Sequence, residues 1–180
     1  MKKLLLLAFC ITILKNLTAQ VPTAMPPDAN AFYSSAMSAI RQQVKDIVLR
    51  SANAMKNHKA NADSLSQKLR TNKTLKGMSY NDIDGITVLI LVQASNDADA
   101  DLKLVVLGMS RREQKQQQST AMQTSVNSDE NKNRSIEEIN DIQNLKLQTI
   151  VERKRRMAEE INDVMKKISG TQQNIINNLK

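Results

Sequence analysis

Three aspartates at alternate positions, Asp97, Asp99 and Asp101, are the first residues whose type and spacing could do chemistry. Such a triplet opens the calcium loop of an EF-hand, which also requires Gly at its sixth position and Glu at its twelfth. Counted from Asp97, those positions hold Leu102 and Gly108. The triplet is therefore expected to be a solvated acidic patch and not a metal site. On a helix, Asp97 and Asp101 would share a face and Asp99 would point elsewhere.

The second cluster is basic. Arg153, Lys154, Arg155 and Arg156 follow Glu152 directly, and Arg111 and Arg112 form a smaller basic spot. These four consecutive bases are the candidate anion-binding residues, because clustered Lys and Arg neutralise phosphates. On a helix they fan around the axis, with Glu152, Glu159 and Glu160 within pairing reach. The run is therefore read as a salt-bridged, solvated face. Aromatic residues that could stack bases are limited to Phe9, Phe32, Tyr33 and Tyr80. No nucleic-acid partner inside the cell is expected. Weak binding of a polyanion outside it, such as a surface glycan, acidic lipid headgroups or extracellular DNA, stays open as an alternative.

Other chemistries are thinly supplied. His58 is the one histidine and Cys10 the one cysteine, too few for a metal site of the usual His and Cys ligands. There is no glycine-rich phosphate loop, no His pair and no nucleophile elbow. No catalytic residue, metal or cofactor is assigned, and the chain is not expected to be an enzyme.

The elements that would position these residues begin with a targeting segment. Met1-Lys2-Lys3 is basic, Leu4–Leu14 is apolar, and Asn16–Gln20 is small and polar. That layout predicts a cleavable Sec signal over residues 1–20, and its apolar core is short for a membrane span. Cleavage near Ala19 or Gln20 would remove Cys10, leaving no thiol chemistry. Loss of Lys2, Lys3 and Lys15 would lower the net charge from +8 to +5. The protein is then expected in the periplasm or outside the cell. Residues 21–28 hold Pro22, Pro26 and Pro27 and read as a flexible leader, with Asp28 a plausible helix cap.

Residues 29–180 read as one all-α domain: an elongated antiparallel bundle of three long helices with coiled-coil character. Aromatics make up only 2% of the chain, with 4 Gly and 9 Met. That composition favours helices lying side by side over a sandwich or barrel. The first helix is predicted over about 29–70. Its seam is Met37, Ile40, Val44 and Ile47, continued through Ser51, Ala54, His58, Ala62, Leu65 and Leu69. The second is predicted over about 82–124, after a connector that holds Gly77 and offers Ser79 or Asn81 as a cap.

Two runs inside the second helix, Ile86–Val92 and Leu102–Leu107, are rich in β-prone residues. Their alternative is an α+β fold with a hairpin at 86–107. The helical reading rests on the stripe Ile83, Ile86, Ile90, Ala94, Ala98, Leu102, Val105 and Met109 at steps of three and four. The Ile86–Val92 run is apolar on every side, which predicts the most buried helix. The third helix is predicted over about 135–179. The capping box Ser135-Ile136-Glu137-Glu138 would open it. Its seam is Leu147, Ile150, Met157, Ile161, Val164, Ile168 and Ile175.

The segment Tyr80–Lys103, an apolar stretch leading into Asn96-Asp97-Ala98-Asp99-Ala100-Asp101, resembles the central helices of bacterial secreted proteins of the needle-tip and translocator types. The Sec signal sets this chain apart from such translocators, and no residue role is carried over. Two heptad-like seams, a Sec signal and no catalytic constellation together predict a structural or interaction protein. It would act by homo-oligomerisation or by docking on another helical or surface protein. The alternative is a membrane-active helical protein that contacts a bilayer without spanning it.

Overall fold

The computed structural model describes the backbone of residues 26–55, 61–122 and 130–180. His58, the signal segment and most of the leader lie outside these residues. Every regular element among them is helical: α1 (Pro27–Ala39), α2 (Gln42–Ala54), α3 (Ala62–Arg70), a 3-10 turn (Lys73–Leu75), α4 (Tyr80–Met122), α5 (Glu130–Ile168) and α6 (Gln172–Leu179).

The β-prone runs are helical, so the hairpin alternative at 86–107 is corrected. α4 opens on a reciprocal cap. Asp82 N–H donates to Ser79 Oγ at 3.1 Å, and Ser79 N–H donates to Asp82 Oδ2 at 3.1 Å. Every residue from Gly85 to Val92 is buried. That is why local β propensity loses: the run has neighbours on all sides and no sheet to join. Ile86, Leu89, Ile90 and Leu91 are fully buried, each contributing about 1.5–3 kcal/mol of transfer free energy. α1, α2, α3, α5 and α6 all pack on this half of α4.

The long first helix predicted over 29–70 is corrected to three helices. The break at Ile40-Arg41 carries no Gly or Pro. Both residues have extended ψ angles of 155° and 146°. The Arg41 N–H leaves the helical ladder to donate to the Leu179 carbonyl at 3.0 Å. A tertiary bond to the far end of the chain thus replaces a local one. Ile40, Val44 and Ile47 stay buried across the kink, so the apolar seam survives although the helix does not. α3 restarts on Asn61, whose side chain accepts from the Ser64 N–H at 2.8 Å. Asp28 lies in the first turn of α1, after Pro26, and makes no capping bond there.

The last helix is corrected at both ends. α5 begins at Glu130, so Ser135 and Glu138 lie inside the helix and do not open it. It stops at Ile168, because Gly170 takes φ +83° and turns the chain into α6. Thr171 secures the turn: its N–H donates to the Ile168 carbonyl at 3.0 Å and its hydroxyl at 2.8 Å. Met157, Ile161, Val164, Ile168 and Ile175 are all buried as the seam requires.

Polar ties between helices add to the packing of the base. Ser66 and Thr87 share a buried hydroxyl–hydroxyl bond of 2.9 Å between α3 and α4. Ala62 N–H donates to Glu160 Oε2 at 2.9 Å, tying α3 to α5. Asn178 Nδ2 donates to Asp82 Oδ1 at 3.0 Å, tying α6 to the start of α4. Beyond Ala98 on α4 and before Met157 on α5, no described side chain is fully buried. There the two helices run on together as an antiparallel arm.

Candidate interaction surface

The acidic and basic clusters meet where the arm leaves the base. Arg153 Nη2 donates to Asp101 Oδ2 at 3.2 Å, and Lys154 Nζ donates to Asp99 Oδ1. Asp97 accepts from Gln93 Nε2 at 2.9 Å, and Gln93 in turn accepts from the Tyr33 hydroxyl. The triplet is therefore not the free acidic patch expected from its spacing. Asp99, placed off the shared face by helix geometry, still reaches α5 because the two helices lie side by side. Among the described residues no group of three or more His, Cys, Asp or Glu could hold a metal ion.

The remaining bases of the candidate anion site are occupied along α5 itself. Arg155 bonds Glu152 at 2.8 Å and Glu159 at 2.5 Å, and Arg156 lies 3.6 Å from Glu152. The Arg155 hydrogen bond holds the Glu152 carboxyl below the usual carboxylate range, and Glu152 raises the Arg155 guanidinium in turn. All four bases, Arg153, Lys154, Arg155 and Arg156, thus face a carboxylate of the same chain. The arrangement ties α4 to α5 at the foot of the arm and braces α5; it does not present four free cations on one face.

What sequence spacing did not single out is the arm surface. On α4, Leu104, Val106 and Leu107 are exposed; on α5, Ile139, Ile142 and Leu145 are exposed. Leu104 is 69% exposed and Leu145 64%. An open groove of about 610 Å³ lies between the two helices. Asp101, Leu104 and Val105 line one side; Leu145, Lys146, Thr149 and Ile150 line the other. Scattered single exposed leucines are ordinary, but a contiguous apolar groove is not. The signal lay in the β-prone run Leu102–Leu107, which is too apolar all round for a helix with one neighbour.

Within the arm, Gln143 Oε1 is buried with no hydrogen-bond partner. No helix among the described residues is long and apolar enough to cross a membrane. Compared with known proteins, the chain matches no family model, no curated protein and no solved structure.

Proposed function

We propose that this chain is an exported, non-enzymatic interaction protein, in which a helical base holds out a two-helix arm and the arm does the docking. The observation that carries this reading is the apolar groove around Leu104 and Leu145, which the described residues leave uncovered. A helix pair with an open apolar groove accepts further helices by the same side-chain interdigitation that builds bundles. Its exported location rests on the layout of residues 1–20. The membrane-active alternative draws less support, because its hydrophobic run Ile86–Val92 forms the centre of the base.

The test places a photo-cross-linking residue at Leu104 or Leu145 in the cells that make the protein. The control position is Leu49, an exposed leucine on α2 in the base. Discrete adducts from the arm positions and none from Leu49 are expected. No adduct from Leu104 or Leu145 would end the docking reading.

A further inference from the structure

The groove residues Asp101 and Leu104 are continued by helical spacing through Gly108 and Arg111, a stripe on one face of α4 at steps of three, four and three. That spacing reads the same in both directions, and its two ends carry opposite charge. These are the two properties a helix face needs to pair with a second copy of itself running the other way. A twofold interface is self-complementary, so each residue must find its match elsewhere on the same patch.

We infer that the arm is a self-association element: two copies pair antiparallel about a twofold axis that passes between their α4 helices at the level of residue 106. The inference rests on the docking reading above and names its occupant. Antiparallel pairing centred there puts positions that sum to the same value in one layer. Leu104 of one copy meets Gly108 of the other. Val105, which lines the groove on one flank of that face, meets its own copy near the axis. Asp101 meets Arg111 at each end.

The surfaces fit this pairing. A Cβ built on Gly108 meets nothing within 4 Å, so the glycine is an open notch on the helix. It admits the Leu104 side chain and allows the two backbones to approach closely. Arg111 is exposed. Arg153 engages Asp101 through Oδ2, yet the Asp101 side chain remains 36% exposed, so its charge is still presented. Leu145 borders the same groove across from Leu104 and is covered in the same contact.

The area sets the strength. Residues 99–113 of each α4 overlap, a length of roughly 22 Å at about 1.5 Å per residue. With α5 alongside, the face is about 20 Å wide, which gives on the order of 900 Å² over the two copies, below the roughly 1,200–2,000 Å² of standard stable complexes. The pairing is therefore reversible and concentration-dependent, not obligate.

Light scattering on the full chain across a concentration series, from about 10 μM to a few hundred μM, tests it. The mass should rise toward twice that of the monomer. Gly108→Leu fills the notch and Leu104→Asp puts a charge in it, so both should stay monomeric across the series, at least tenfold weaker in association, with an unchanged helical spectrum. Both sites are open, and Leu is a better helix former than Gly, so loss of the dimer in Gly108→Leu cannot come from unfolding.

Orientation is read in a Cys10→Ser background. Chains carrying Leu104→Cys mixed with chains carrying Gly108→Cys should cross-link faster on oxidation than Leu104→Cys with itself. A wild-type mass that stays monomeric throughout, a dimer that both variants leave intact, or faster cross-linking of Leu104→Cys with itself would each overturn the pairing. The photo-cross-linking adducts separate the two claims. Adducts at Leu104 of any mass other than twice the chain leave the docking reading standing and remove the second copy as its occupant. No adducts at all remove both.

Discussion

Replacing Gly85 with Ala should destabilise the base, even though Ala is the better helix former. A Cβ at position 85 would stand 2.5 Å from Cγ2 of Ile175, 3.5 Å from its Cδ1 and 3.6 Å from Cζ of Phe32. Carbon atoms pack best at about 3.5–4.0 Å, so the Ile175 methyl would have to retreat by about 1 Å. It has little freedom to do so. Ile175 is β-branched and helical, which holds χ1 in one well, and it is 1% exposed. Overpacking of this kind costs about 1–3 kcal/mol. Removing a mid-helix glycine returns about 1 kcal/mol through backbone entropy. The net loss for Gly85→Ala is therefore about 0–2 kcal/mol, and its sign should depend on Ile175. In an Ile175→Ala background the obstructing methyl is gone, and the same Gly85→Ala change should stabilise by up to about 1 kcal/mol. Urea unfolding of the four chains, followed by helical circular dichroism, reads out the cycle. If Gly85→Ala stabilises equally in both backgrounds, Gly85 is not the notch that seats α6 on α4, and the packing argument fails.

Other perturbations probe other parts of the molecule. Ile161, fully buried in the base, should cost about 2–4 kcal/mol on change to Ala. The loss should not depend on protein concentration, because the seam is covered within one chain; a loss that fades at high concentration would place it at an interface instead. Burial raises the Tyr33 phenol above its ordinary value of 10.0, with the Asp97 charge adding to the shift. The unfolded chain then releases that proton first, so this contribution is fully present below pH 10.0 and is lost as pH rises through the folded value. Tyr33→Phe should flatten the fall in stability above that pH, and an unchanged slope would show that Tyr33 is not responsible. Gln143→Leu removes the buried Oε1 that has no partner and should slow hydrogen exchange of the arm amides, with a gain of about 1 kcal/mol. Faster exchange would mean that Gln143 is satisfied in solution.

Much of the base was legible in periodicity, and the arm surface only in part. The stripe from Ile83 to Ala98 and the seam from Met157 to Ile168 read directly as buried faces, since a helix repeats every 3.6 residues whatever it packs against. The candidate anion run was legible as a charge cluster, but its partners were not. Glu152 and Glu159 are helical neighbours and could be anticipated, whereas Asp99 and Asp101 are more than fifty residues away and meet Lys154 and Arg153 only through α4–α5 packing. Leu104 read as the middle of a β-prone run. Its exposure follows from how far the other helices extend along α4, which no local pattern encodes.

The sequence by itself determined helical character, the apolar faces and the burial of Ile86–Val92, because these are properties of one helix and its side-chain spacing. Tertiary structure decided where helices stop and what remains uncovered. The break at Ile40-Arg41 exists because the Arg41 N–H finds the Leu179 carbonyl at 3.0 Å. The chain is already helical at Glu130, so the capping-box residues Ser135 and Glu138 sit inside α5. The groove between Leu104 and Leu145 exists because α1, α2, α3 and α6 cover the first half of α4 and leave the second half with α5 as its packed neighbour. A seam says that a face wants a partner; only the arrangement of the whole chain says whether the partner lies within it.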